Sequence, residues 1–215
     1  MIDTPPPDAP PIGGAFPDGA FPDGALPDGA FPDGALPDGA RETVRAARRA
    51  DAELLGPLHL AVWLETYPNA EAGIDAAWVR EQRGEDGSAA GIDRWREFIG
   101  RTEADPAQWF CRIVSSPAGD GARPLGFVCG RRGAAEVVLG PMYLLAEAQG
   151  RGLGGRLMAE FLAWSGADPI GLWVTEYNAG ALGFYRRHGF RPTGERELWR
   201  GRLPNLRMAR PGAAG

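Results

Sequence analysis

Leu54, Leu55, Leu58 and Val62 recur at spacings of three and four, the period of a helix that buries one face. Asp51 stands where an N-cap belongs, and Pro68-Asn69 marks a stop, so one helix is expected between them. Pro57 should kink that helix or delay its start, because the ring lacks an N–H and crowds the preceding turn. A short strand, Thr43–Ala47, anchored by Val44, precedes it. Ile74–Arg83 and Ile92–Arg101 read as two further helices, separated by the loop Gly84–Ser88. The pattern then changes to β-rich runs at Trp109–Ser115, Leu125–Arg131 and Glu136–Leu145, broken by Pro117–Gly121 and by Arg132-Gly133. Beyond Leu145 the two periods alternate. Gly152–Ser165 carries Leu153, Leu157 and Phe161 on one helical stripe, with Met158 and Leu162 beside it. Ile170–Thr175 is a short apolar strand. Asn178 can cap a helix running to His188, where Gly189 suits a left-handed stop. Phe190–Arg191, Glu195–Arg200 and Leu206–Arg210 are the last candidate strands. This order predicts a single mixed α/β domain over residues 41–211.

Residues 1–40 follow neither period. From Phe16 to Ala40 the unit [Phe/Leu]-Pro-Asp-Gly-Ala occurs five times. Pro pre-sets φ and Gly accepts φ > 0, so each unit suits a turn, whereas a five-residue period puts its apolar residue on no common face. A pentapeptide β-helix would wind little more than one coil over this length, with nothing to stack on. A disordered, turn-rich, elastin-like tail without a core is therefore expected.

This stretch also explains the charge. It holds seven Asp and no basic residue, while the remaining 175 residues set 23 arginines against 21 carboxylates, so the net −5 belongs to the tail. A near-neutral body without a basic run argues against a nucleic-acid partner, whose binding rests on neutralising phosphates. The chain contains no Lys, which removes Schiff-base chemistry, lysine nucleophiles and a Walker-type phosphate loop. Two Cys (Cys111, Cys129) and two His (His59, His188) are too few and too scattered for a zinc set, and core thiols in a reducing cytosol are expected. No signal peptide is recognisable. The run Leu58–Leu64 is too short to cross a bilayer, so a cytoplasmic protein without membrane partners is expected.

Candidate chemistry concentrates in Gln149-Gly-Arg-Gly-Leu-Gly-Gly155, which follows a strand and opens an amphipathic helix. Glycines admit a close-approaching ligand, and the first helical amides have no internal partner, so several donors converge at the positive end of a helix dipole. A pyrophosphate suits that place. The dinucleotide-binding fingerprint is the rival. It requires Gly-x-Gly-x-x-Gly in a first β-α unit, whereas Gly150, Gly152 and Gly154 follow a three-strand meander.

Two stretches together resemble the GCN5-related N-acetyltransferase (GNAT) superfamily. Gln149-Gly-Arg-Gly-Leu-Gly154 is similar to its Gln/Arg-x-x-Gly-x-Gly/Ala acyl-CoA loop. Asn178-Ala-Gly-Ala-Leu-Gly-Phe-Tyr-Arg-Arg-His-Gly-Phe190 is similar to its Asn-x-x-Ala-x-x-Phe-Tyr-x-x-x-Gly-Phe helix. Val62-Trp-Leu-Glu-Thr-Tyr67 resembles the end of the first helix in one bacterial branch. The likeness spans residues 42–210. It implies a central mixed sheet with helices on both faces and two central parallel strands that splay apart to admit acetyl-CoA. No metal is implied.

The resemblance also implies roles. The main chain of Leu144, Leu145 and Ala146 would pair with the pantetheine, and an N–H near Leu144 would face the thioester oxygen. Gln149, Gly150, Arg151, Gly152, Leu153, Gly154 and Gly155 would cradle the diphosphate, with Arg151 and Arg156 reaching its oxygens. Asn178 would cap its helix and contact the pantetheine. Tyr185 would be the acid that meets the departing thiolate. A phenol near 10 sits about 1.5 units above a thiol near 8.5, so a hydrogen bond suffices and full transfer is optional. An alkyl amine near 10.4 needs about 4.6 kcal/mol to shed its proton at pH 7, which calls for a base. Glu136 is the candidate, although Val138 occupies the family's nearer position, and Glu65 and Glu176 are rivals. The acceptor would enter past Trp63–Asn69, Glu71–Ile92 and Glu195–Leu206. There Trp63, Tyr67, Trp78 and Trp199, alongside carboxylates, would suit a cationic amine. The expected activity is acetyl transfer to a primary amine by direct attack in a ternary complex. The alternative is a non-catalytic acyl-CoA-binding or interaction module. Many family members form homodimers, so a dimer is among the expected states.

Overall fold

The computed structural model describes residues 42–117 and 123–213; the repeat tail lies outside them. Strand β1 (Thr43–Ala46) leads through a 3-10 turn into helix α1 (Ala52–Thr66), followed by α2 (Ala76–Arg83) and α3 (Ala89–Ala104). A meander of β2 (Trp109–Ser115), β3 (Pro124–Arg132) and β4 (Val137–Leu144) comes next. Helix α4 (Leu153–Ser165) crosses to β5 (Ile170–Thr175), and α5 (Ala179–Arg187), β6 (Arg191–Trp199) and β7 (Leu203–Arg210) complete the domain. One seven-stranded sheet runs β1-β2-β3-β4-β5-β7-β6. Every neighbouring pair is antiparallel except β4 and β5.

Strand alternation decides which helix covers which face. Phe127 on β3 packs against His59 of α1 and Trp95 of α3. Three residues on, and so on the opposite face, Gly130 leaves room for Phe161 of α4; a Cβ there would come within 2.4 Å of that ring. Helices thus cover both faces, as the resemblance implied. Helix α1 buries Leu55, Leu58, His59, Val62, Trp63 and Thr66, one continuous stripe at helical spacing.

The end of α2 is drawn tightly against this stripe. A 3-10 turn, Gly84–Gly87, nests between α1 and α3 because Gly56 and Gly91 lack side chains: added Cβ atoms would meet backbone oxygens of Asp86 and Glu85 at 2.1 and 2.0 Å. Asp86 is thereby delivered to His59, with Oδ2 2.9 Å from Nδ1. Trp63 Nε1, which can only donate, gives its hydrogen bond to His59 Nε2 at 3.1 Å. The imidazole proton therefore sits on Nδ1, toward Asp86. Burial outweighs this carboxylate and lowers the His59 pKa.

Several boundaries differ from the sequence reading. Asp51 does not cap α1. It lies in the 3-10 turn, accepts the Arg48 N–H, and takes a bidentate pair from Arg45 at 2.7 Å. Helix α1 also runs through Pro57 without delay. Only the bond to the Glu53 carbonyl is forgone, and Glu53 is exposed to water. Helix α2 begins at Ala76, capped by Asp75, because Ile74 instead bridges to Asn69. Helix α3 starts at Ala89, where Ser88 accepts the Gly91 N–H. The two short strands expected near Phe190 and Glu195 are one edge strand, β6, with a bulge between Pro192 and Arg196 where Gly194 takes φ +94°. Cys111 and Cys129 face each other across β2 and β3 as buried free thiols, Sγ to Sγ 3.5 Å.

Candidate active site

The central strands separate. β4 and β5 are in register only at Val137/Ile170 and Val138/Gly171. Beyond those pairs β4 continues against β3, and β5 against β7. A bulge on β4 assists the divergence: Met142 pairs with Val128 but Leu139 pairs with Gly130, so Cys129 faces both Gly140 and Pro141. The open edge of β4 is identified by its last residues. Leu145 N–H bonds to Leu125 C=O at 2.9 Å, toward β3. Neighbouring peptides alternate direction along a strand, so Leu144 turns its N–H and C=O toward the cleft. Gln149 Nε2 donates to that Leu144 carbonyl at 3.2 Å, and Ala146 N–H donates to Glu65 Oε2 at 2.9 Å. Of the three expected pantetheine contacts, Leu144 faces the cleft, Leu145 turns its N–H away, and Ala146 is engaged by Glu65.

The glycine loop lies just beyond. Gly150 and Gly152 have φ of +69° and +74°, with no atom within 4 Å of an added Cβ, so their glycines are required by backbone conformation and not by crowding. Gly152 is the N-cap of α4 and has no side chain to fill that role. The first intrahelical bond runs from Arg156 N–H to Gly152 C=O at 3.1 Å. The amides of Leu153, Gly154 and Gly155 precede it and converge at the helix's positive end. Both loop arginines are held by one residue: Arg151 pairs with the Glu42 carboxylate, and Arg156 Nη2 donates to the Glu42 carbonyl at 3.0 Å.

Helix α5 leaves the far end of β5. Asn178 is buried at its N-cap and accepts the Ala181 N–H at 2.8 Å. Gly189 ends the helix with φ +86°. Tyr185 is 1% exposed, between Phe184 and Phe190. Burial raises its pKa, and the nearby Tyr67 phenol adds to the effect. Tyr67 and Tyr143 share a hydrogen bond at 2.8 Å, and burial raises both, Tyr67 to about 12.

The parallel pair parts at a bulge and leaves a cleft, with the first amides of α4 beyond the gap. Comparison with known proteins bears on this fold. Residues 117–192 match the family model described as an acetyltransferase (GNAT) domain. A probable N-acetyltransferase of Mycobacterium tuberculosis is 26% identical over 168 residues, 73% of this chain and 84% of that protein. The PaiA N-acetyltransferase of Thermoplasma acidophilum, solved with coenzyme A, superposes with a TM-score of 0.62 at 20% identity, over 80% of this chain and 99% of that one. YncA of Salmonella typhimurium, solved with acetyl-CoA, gives 0.58 at 16% identity, over 81% and 98%. Residues 117–192 thus carry the match to the GNAT domain, and the described fold as a whole is GNAT-like.

Within this GNAT fold the three candidate carboxylates all have partners. Glu136 is bound to Arg207 Nη2 at 2.5 Å, at the end where β4 and β5 still pair. Glu176 is paired with Arg196 at 3.1 Å. Glu65 alone reaches the cleft edge, through Ala146. The aromatic wall is largely interior: Trp63 and Tyr67 are 1% exposed and Trp78 8%, while Trp199 is half-buried. Among these rings stands a residue that the sequence did not single out. Arg83 lies with Cζ 4.5 Å from the Trp63 ring centre and 5.2 Å from that of Trp199. At the end of a charged helix it reads as a solvated arginine; only the close nesting of the following turn reveals its surroundings.

Proposed function

We propose that the protein transfers an acetyl group from acetyl-CoA to a primary amine, by direct attack with both substrates bound. The observation that carries this reading is the alignment of three uncapped amides, Leu153–Gly155, with the unpaired edge of β4. Donors and spacing fit the coenzyme. The α4 amides would hold its diphosphate, joined by Arg151 and Arg156 after they exchange Glu42 for phosphate oxygens. Leu144 would align the pantetheine through its N–H and C=O, with Asn178 across the cleft. The bound thioester supplies an activated acyl carbon.

The chain's own groups would manage charge. An N–H on the open edge near Leu144 donates to the oxygen that becomes negative. Tyr185 donates to the departing sulfur. Its buried phenol, raised above the usual 10, remains protonated at every physiological pH and is a hydrogen-bond donor more than a proton source. Glu136 is the candidate acceptor for the amine proton, and it must part from Arg207 or work through water to act.

Tyr185→Phe tests the assignment. Thiol release from acetyl-CoA across an amine panel should fall about 100-fold, the scale of general acid catalysis, while calorimetric coenzyme A binding persists. An unchanged rate removes Tyr185 from the mechanism. Tight coenzyme binding by the wild type without turnover of any amine would favour the non-catalytic alternative.

A further inference from the structure

Arg83 is in an unusual situation for a guanidinium. Its side chain is 11% exposed. Its Cζ lies beside the indoles of Trp63 and Trp199, which pack against each other with ring centres 5.2 Å apart, and its nearest carboxylate oxygen, Asp86 Oδ2, is 4.0 Å from Nη1, beyond hydrogen-bond distance. Nε and Nη2 are sealed from water and make no hydrogen bond among the described residues. Buried donors without acceptors are costly and rare in folded proteins. These two atoms also form the side-on edge of the guanidinium, two parallel N–H groups whose spacing matches the oxygens of a carboxylate. The indole contacts hold the guanidinium in place, and Nε with Nη2 is the donor pair that an anion would satisfy together.

The surroundings are those of the acceptor side. The Arg83 charge acts on the phenols of Tyr67 and Tyr143, and Tyr67 in turn acts on Tyr185. Geometry joins the same groups: Trp63, beside the guanidinium, packs on Tyr67 with ring centres 4.2 Å apart, and Tyr67 is hydrogen-bonded to Tyr143. Arg200, over the outer side of Trp199, adds a second positive charge. An acidic wall is absent from this spot: among the described residues, Asp86 is the carboxylate within ion-pair reach of Arg83, and it is already shared with His59.

We propose that the acceptor amine carries a carboxylate, which docks on the Nε/Nη2 edge of Arg83 and so presents the amine toward Tyr185. This rests on the acetyltransferase reading and narrows its substrate class from cationic amines to amino acids, peptides or similar amino carboxylates. Trp199 ends β6 beside a turn in which Arg200 takes φ +52° and Gly201 +69°, and docking requires this hairpin to shift so that the buried guanidinium edge is reached. The charge-assisted pair gives the site its preference, since a carboxamide offers one acceptor oxygen and turns its NH2 toward the second donor, leaving that one unsatisfied.

The test compares matched amines. Thiol release from acetyl-CoA is measured with the common L-amino acids and simple dipeptides, with the same compounds as carboxamides, and with spermidine and an aminoglycoside as carboxylate-free amines. The expected result is a kcat/KM for at least one carboxylate acceptor about 10- to 100-fold above its carboxamide, the size of a charge-assisted pair. Arg83→Met should raise the KM for that acceptor by a similar factor and narrow its advantage over the carboxamide, while calorimetric coenzyme A affinity persists. Arg83→Lys, which keeps the charge but loses the fork, should recover part of the loss. The wild-type comparison stands even if Arg83→Met fails to fold. Carboxamides or polycations accepted as well as carboxylates, a folded Arg83→Met protein with wild-type KM, or coenzyme binding without turnover of any amino carboxylate would each overturn the proposal. Failure to bind coenzyme A at all would instead remove the acetyltransferase reading, and this inference with it.

Discussion

Glu42 shows how one side chain can bias a binding site without touching a reacting atom. Its carboxylate holds Arg151, and its carbonyl accepts from Arg156. These are the cations expected to reach the diphosphate, so the coenzyme must displace a contact already made. A partly exposed pair of this kind is worth roughly 1 kcal/mol or less. Glu42→Gln should therefore tighten coenzyme A binding by up to about fivefold in calorimetry, with the gain shrinking at high salt; equal affinities would mean that the arginines do not reach the ligand. The burial of Tyr185 and the cap made by Asn178 follow from their helix motif. The surroundings of Arg83 do not, because they come from two indoles distant in sequence and from two donors without acceptors among the described residues.

Among elements, the glycines divide by what they are for. Gly56 is glycine because a turn's backbone passes within van der Waals contact of α1. Gly56→Ala should destabilise the fold by about 1–3 kcal/mol through overpacking, read as a lower denaturation midpoint, and should also disturb acceptor binding by displacing Asp86 and Arg83. Gly150 has space but a left-handed φ. Gly150→Ala should cost about 1–2 kcal/mol of backbone strain and weaken coenzyme affinity, while Gly155→Ala, with open space and an ordinary φ, should leave stability unchanged or improve it. Helix periods placed α1, α4 and α5 closely, since each buries one face, and a continuous apolar run placed β5, which is buried on both faces. Boundaries failed where a side chain found a distant partner instead of a local one, as Asp51 did with Arg45 across the β1 turn.

At the scale of the whole molecule, buried titratable groups set the pH range of stability. Folded His59 resists protonation, whereas in the unfolded chain it takes up a proton below about 6.5. The unfolded state then holds the extra proton, so stability falls as pH drops through that value. Tyr67, Tyr143 and Tyr185 keep their protons when folded but lose them near pH 10 when unfolded, so stability also falls above about pH 10. Thermal melts from pH 5 to 11 should show both limbs, and His59→Asn should flatten the acid one; a melting temperature independent of pH would contradict the buried arrangement. The sequence alone determined the element order, the glycine loop and the helices α4 and α5, because those depend on local period, caps and turn chemistry. Only the folded structure decided how far β4 and β5 part, which amides face the gap, that each candidate base already has a partner, and that an arginine sits beside Trp63 and Trp199. Those properties arise from contacts between residues tens of positions apart, where burial leaves an arginine with donors that water no longer satisfies.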